Sequence, residues 1–184
     1  MTTPMKNNSR VYLRSLDLEK DLSLFHQVYS DSLSMKYYGM QAFEDMDQSL
    51  SLMKSYIKSE EENKSIHRVI SHPDTNEYMG EIGIFNINAM HHRANAYCIL
   101  LPQYRNMGFS IDASAIFYDE IFGQKQINRI QALVDSRNAK AISSLKGIGF
   151  SYEGRLAQYE FSDGEYIDMD VFALLKKRFY ELYS

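Results

Sequence analysis

From residue 10 the chain alternates apolar and polar side chains in "RVYLRS", the period-two signature of a short strand. The period then lengthens. In "DLEKDLSLFHQVYS", Leu18, Leu22, Phe25 and Tyr29 recur at helical spacing behind Asp17, a residue type that caps helices through its carboxylate. "EDMDQSLSLMKSYIKSEEEN" repeats the pattern with Met46, Leu50, Met53 and Ile57 on one face and acidic residues in the first turn. Between the two helices "DSLSMKYYGMQAFED" keeps no period and reads as an irregular, aromatic segment.

Three strand-like runs follow: "IHRVIS", "EYMGEIGIFNIN" and "ANAYCILL". "HPDTN" joins the first two as a turn, because Pro73 pre-sets φ and Asp74 and Asn76 tolerate tight bends. After "LPQYRNMGFS" a helix is predicted over residues 110–122, striped by Ile111, Ala115, Tyr118 and Phe122 and stopped by Gly123. "RIQALVD" is a further strand and "NAKAISSLK" a short helix capped by Asn138, leaving through "GIGF". Two long strands then flank Asp163-Gly164, a strong hairpin signal. The basic, aromatic tail "KKRFYELYS" receives no assignment.

The predicted order is β-α-α-β-β-β-α-β-α-β-β. It implies an α+β fold with a mixed, mostly antiparallel central sheet flanked by helices, in one domain over residues 1–184 with its core at about 10–176. With 184 residues and a net charge of −4, the chain lacks the basic footprint of a nucleic-acid binder. The single cysteine, Cys98, excludes an internal disulfide framework and fits a reducing compartment. No apolar run approaches the roughly 20 residues that span a bilayer, so a cytoplasmic protein without membrane contact is expected. Adjacent His91 and His92 lack matched ligand spacing, so no metal site is expected.

The chemistry centres on "LPQYRNMGFS". A strand gives way to Arg105, a lone Gly108 and the start of a helix, where unsatisfied N–H groups and the helix dipole attract phosphate. Gly108 lets backbone amides converge on an anion, and Arg105 adds a charged fork. The second glycine and Lys-Ser/Thr pair of a Walker loop are missing, as are the three glycines of a dinucleotide fingerprint. A plain strand-to-helix turn is the competing reading of this segment taken alone.

Three segments in order change that balance: "LPQYRNMGFS", "NAKAISSLKGIGFSYEGRL" and "DGEYIDMDVFALL". Together they resemble the GNAT acetyltransferase superfamily, most nearly its ribosomal-protein N-terminal acetyltransferase branch and the related spermidine acetyltransferases. The likeness is firm over about residues 80–175 and looser over 10–80. It implies acetyl-CoA as cosubstrate. Its pyrophosphate would lie on the backbone of Arg105, Asn106, Met107, Gly108, Phe109 and Ser110. The pantetheine arm would lie along Leu100 and Leu101 and against Asn138.

The resemblance also marks departures. A glutamate base is usual where this chain has Asn95, a tyrosine acid where it has Leu145, and the ribosomal branch's serine where it has Ala141. Glu81 and Tyr97 are the replacement catalytic candidates beside Asn95, with a solvent-facing carboxylate and a packed aromatic as the plainer readings. A non-catalytic CoA sensor is the alternative in kind. The acceptor is expected to be an amine, either a protein N-terminus or a small molecule such as a polyamine or amino-sugar. It would lie between segment 31–45 and the last hairpin, among Tyr37, Tyr38 and Glu44. A homodimer is common among similar proteins.

Overall fold

The computed structural model describes residues 9–162 and 164–183. Its order is β1 (Tyr12–Arg14), α1 (Leu18–Tyr29), α2 (Ser32–Lys36), α3 (Met46–Glu61), β2 (Ile66–Ser71), β3 (Tyr78–Asn88) and β4 (Arg93–Leu100). Then come α4 (Phe109–Gln124), β5 (Arg129–Asp135), α5 (Ala139–Ile148), β6 (Ser151–Ser162), β7 (Glu165–Leu175) and α6 (Lys176–Tyr183). Among the described residues seven strands form one sheet in the order β1-β2-β3-β4-β5-β7-β6, with β4–β5 its only parallel pair. The expected α+β architecture is therefore present.

The predicted caps hold their helices. Asp17 accepts from the N–H groups of Glu19 and Lys20, and Asn138 accepts from Ala141 N–H. Asp45 and Gln48 form a reciprocal capping box at the start of α3.

Several boundaries differ from the periodic reading. The irregular segment contains the single-turn-and-a-half helix α2, begun at Asp31, whose carboxylate accepts from Ser34 Oγ. Gly123 does not stop α4; the helix runs on to Gln124 because buried Ile121 and Phe122 carry its apolar face past the glycine. Met46, expected on the core face, starts α3 with 42% of its surface exposed. The tail becomes α6 because Phe179 fits against Phe122 at a ring separation of 5.4 Å. Asp163 of the last turn lies outside the described residues, while Gly164 beside it has φ +80°. Among the described residues no helix is long and apolar enough to cross a membrane.

Strand alternation divides the core in two. Ile82, Ile84, Ala94, Leu100, Ile130 and Ala132 meet α4, α5 and α6 on one face. Val69, Tyr78, Ile99 and Leu101 meet α1, α2 and α3 on the other. The β4–β5 ladder spans only Arg93↔Arg129 to Asn95↔Gln131, although both strands continue beyond it. Past Asn95 they part, and the edge of β4 from Ala96 to Leu100 has no strand partner on that side.

β4 reaches this fork pressed closely against β3. A Cβ at Gly80 would lie 2.2 Å from the Ile99 carbonyl oxygen and 2.8 Å from Leu100 Cα, both main-chain atoms that cannot swing aside. Gly80→Ala should therefore cost about 1–3 kcal/mol or more through overpacking. A urea unfolding midpoint equal to wild type would show that the two strands do not need this approach.

Candidate active site

The bend after β4 leaves a run of main-chain N–H groups without acceptors among the described residues. Leu101 leads into a 3-10 turn at Pro102–Tyr104, and the backbone then takes left-handed angles at Asn106 (φ +62°) and Gly108 (φ +84°). Gly108 is the N-cap of α4 and supplies no side-chain cap. Among the described residues no acceptor is recorded for the N–H groups of Asn106, Met107, Gly108, Phe109 and Ser110. A run of free N–H groups at the positive end of a sixteen-residue helix suits a diphosphate.

Arg105, expected as a charged fork, is committed inside the protein through two of its three nitrogens, and Nη2 has no partner among the described residues. Its Nε donates to the Leu100 carbonyl at 2.8 Å and its Nη1 pairs with Asp31 at 3.2 Å. It ties the bend to the start of α2. The cation beside the bend is instead Arg10, which donates to the Met107 carbonyl at 3.0 Å, pairs with Asp112 at 2.6 Å and lies 5.1 Å over the Phe109 ring. Nothing local in the sequence marks Arg10, because the contact spans 97 positions.

The open edge of β4 is only partly free. Leu101 N–H donates to the Met79 carbonyl at 2.9 Å, so the strand's alternation turns the backbone groups of Cys98 and Leu100 toward the fork. Leu101 is fully buried and bonded to β3, which removes it from the edge expected to meet a pantetheine arm. Leu100 stays on that edge with its carbonyl held by Arg105. Tyr38 reaches across to the Cys98 carbonyl at 2.5 Å and flanks the fork from the α2 side with 39% of its surface still exposed. Tyr37 is exposed beside it, and Glu44 is exposed with its N–H held by Gln48.

The tip of the 31–45 segment nears β6. A Cβ at Gly39 would meet Glu160 Oε2 at 2.7 Å. Burial, then repulsion from Asp135, raises the Glu160 carboxyl above its ordinary value. Periodicity gives no hint of Glu160, because a strand and a distant irregular segment bring it to the fork together.

Glu81 and Tyr97 share the α1/α3 face of the sheet, and Asn95 stands at the point where β4 and β5 part. Glu81 is 1% exposed, which overturns the solvent-facing reading of its strand position. Tyr97 Oη lies 3.3 Å from its Oε2 and Tyr78 Oη 3.5 Å from its Oε1. His67, absent from the sequence expectations, bonds Tyr97 Oη through Nδ1 and Ser65 Oγ through Nε2, each at 2.8 Å. Asn138 is half-buried at the head of α5; Ala141 and Leu145 behind it pack against the core and offer no proton. Burial pushes the Cys98 thiol up to about 12, which fits a packing role. Asp168 accepts from Gln158 N–H at 2.8 Å and stitches a bulge in the hairpin. Among the described residues no group of three or more His, Cys, Asp or Glu is arranged to hold a metal.

The site thus combines a forked sheet, an unpaired strand edge and a run of free N–H groups at a helix start. The acetyltransferase (GNAT) domain family matches residues 10–151. The uncharacterized N-acetyltransferase YoaA of Bacillus subtilis is 26% identical over 175 residues, covering 95% of this chain and 98% of its own. Spermidine N(1)-acetyltransferase of Escherichia coli K12 is 28% identical over 162 residues, covering 88% of this chain and 84% of its own. The crystal structure of spermidine N-acetyltransferase from Vibrio cholerae in complex with CoA and spermine superposes with a TM-score of 0.83. It is 25% identical and covers 94% of this chain and 99% of that one. The chain belongs to the GNAT acetyltransferase family and is an N-acetyltransferase. Acetyl-CoA is the cosubstrate of that chemistry, and the free N–H groups of the bend fit its diphosphate.

Burial, the largest influence, pushes the Glu81 carboxyl from 4.5 up to about 8 against the hydroxyls of Tyr29, Tyr97 and Tyr78. Between those values only the folded chain keeps this proton. The group's contribution to stability is therefore full below about pH 4.5 and lost as pH rises through about 8. His67 runs the opposite way: burial and then Arg68 lower it from 6.5 to about 4, so its contribution is lost as pH falls through that window. Glu81→Gln removes only the first slope. Wild type minus variant in urea midpoint should thus decline steadily from about pH 5 to about pH 8; a flat difference would contradict the buried neutral carboxyl.

Proposed function

We propose that this protein transfers acetyl from acetyl-CoA to a primary amine of a small molecule, with a polyamine as the best-supported acceptor. The observation that carries the donor side is the cradle of free N–H groups from Asn106 to Ser110 beside an open strand edge. The acceptor side rests on the relatives. Those with a stated substrate are spermidine acetyltransferases, which favours the small-molecule reading over the ribosomal-protein branch expected from the motifs.

Bound acetyl-CoA supplies an activated thioester. In this reading the N–H groups of the bend hold the diphosphate, Leu100 N–H meets the amide-bearing arm, and Asn138 keeps its amide N–H₂ for the same arm while its oxygen caps α5. Glu160 and the exposed Glu44, Asp45 and Asp47 attract a polycation toward the fork. Asn95 cannot take a proton near neutrality and the buried Glu81 carboxyl already holds one, so Tyr97, one step along the same face, is the group that receives the ammonium proton.

The test supplies acetyl-CoA with spermidine, glucosamine or a short peptide bearing a free N-terminus and follows thiol release. Turnover with spermidine above the other two is expected; preference for the peptide would restore the ribosomal-type reading. Gly108→Leu places a side chain where Cβ already meets Arg10 Nη2 at 3.0 Å and forces a residue with φ +84°. CoA affinity measured by calorimetry should fall about 100-fold, equivalent to two charge-assisted hydrogen bonds of about 1.5 kcal/mol each. Unchanged affinity would remove the cradle from the proposal.

A further inference from the structure

The interior of the α1/α3 face holds a line of hydrogen bonds that runs from Tyr97 on β4, across β3, to the surface. Tyr97 Oη is 2.8 Å from His67 Nδ1, His67 Nε2 is 2.8 Å from Ser65 Oγ, and Ser65 Oγ donates to Ser59 Oγ at 2.8 Å. His67 is 6% exposed and Ser65 2%, whereas Ser59 on α3 is half-buried and within reach of water. We infer that Tyr97, His67, Ser65 and Ser59 form a proton relay that carries the amine's surplus proton from the fork to solvent. This rests on the acetyltransferase reading above and adds a route and three residues, His67, Ser65 and Ser59, to it.

The donors are aligned. Ser65 gives its hydroxyl proton to Ser59, so its oxygen accepts from His67 Nε2–H. Nδ1 is then bare and accepts from Tyr97, which lies nearer to it than to Glu81 at 3.3 Å. That leaves the Tyr97 oxygen able to accept. The imidazole must be neutral to keep one donor and one acceptor, and burial lowers His67 to about 4. Its ring is fixed by stacking on Tyr56 at 3.8 Å with 3° between planes.

The backbone has made room for this contact. A Cβ at Gly83 would lie 2.5 Å from Tyr97 Cε1 and 3.0 Å from His67 Nδ1, so only glycine lets the two rings meet over β3. Tyr97 is half-buried and reaches Phe85, an exposed ring at 6.3 Å, on the side of the fork at Asn95. At the other end a cavity of about 230 Å³ lined by Ser15, Leu16, Tyr56, Ile57, Glu60 and His67 adjoins the imidazole. Glu60, which lines this cavity, accepts from the main-chain N–H of His67.

Charge and atoms balance along this line. As the N–C bond forms and the thioester C–S bond breaks, the ammonium sheds two protons. One ends on the departing thiol. The other enters at the Tyr97 oxygen while the Tyr97 proton moves to Nδ1, the Nε2 proton to Ser65, and the Ser65 proton to Ser59 and water. The ring recovers its starting tautomer by exchanging protons with water in the adjoining cavity before the next turnover. The other polar groups facing this line are Tyr29 and Asp21 from α1, Tyr56 and Glu60 from α3, Arg68 beside His67, and Tyr78 and Glu81 from β3.

The experiment compares wild type, His67→Gln and His67→Ala in single turnovers with acetyl-CoA and spermidine, glucosamine or the free-N-terminus peptide. Gln preserves one acceptor and one donor and so keeps the fold, but its amide passes no proton near neutrality. His67→Gln should retain CoA affinity and amine KM while the chemical step slows about 10- to 100-fold, the lower part of the range for general acid–base help. Added imidazole should restore His67→Ala through the adjoining cavity and leave His67→Gln unchanged. Wild-type rates in His67→Gln would overturn the relay while leaving the acetyltransferase reading intact. Failure of imidazole to restore a folded His67→Ala would do the same. A wild-type chain that releases no thiol with any of the three amines would sink that reading and the relay with it.

Discussion

Everything that positions chemistry in this molecule depends on β4 losing its partner after Asn95. A strand edge inside a protein leaves N–H and C=O groups that must find partners. β5 is held along its whole length by β7, so β4 alone carries the unpaired edge from Ala96 onward. The chain answers with side chains: Tyr38 takes the Cys98 carbonyl and Arg105 the Leu100 carbonyl, while Asp31 holds Arg105 in place. The edge is thus kept open to a ligand's amides without being left bare, and the Asp31–Arg105 pair fixes the bend relative to α2.

The opposite face carries a different constraint. Glu81, Tyr78, Tyr29, Tyr56, Tyr97 and His67 crowd together under α1 and α3, where a charged carboxylate would cost several kcal/mol of desolvation. The cluster keeps Glu81 and His67 uncharged near neutrality and hydrogen-bonds their polar atoms. Such an arrangement passes protons without holding charge. It lies next to the fork where the family's usual glutamate and tyrosine positions hold Asn95 and Leu145.

The bend at Gly108 was legible because its determinants are local. Gly108, the turn before it and the helix after it are consecutive residues, and backbone N–H geometry follows from them. Arg105 shows where local reading stops. A lone arginine in a phosphate-binding bend invites an electrostatic role, but an acidic partner 74 positions away turns it inward, and Arg10 takes the outer place. Leu101 carries the same lesson, since its commitment to Met79 depends on the β3–β4 register.

The sequence by itself determined the order of the seven strands and of α1, α3, α4 and α5, the caps at Asp17 and Asn138, the bend at Gly108 and the kinship that these motifs carry. Each of these rests on periodicity or on neighbours within one turn. The tertiary structure decided which strand edge stayed open, that Glu81 is buried, and that Gly83 lets His67 and Tyr97 touch across β3. The reason is that burial and hydrogen-bond partnership belong to pairs of residues brought together by sheet register and helix packing, and no stretch of chain contains both members.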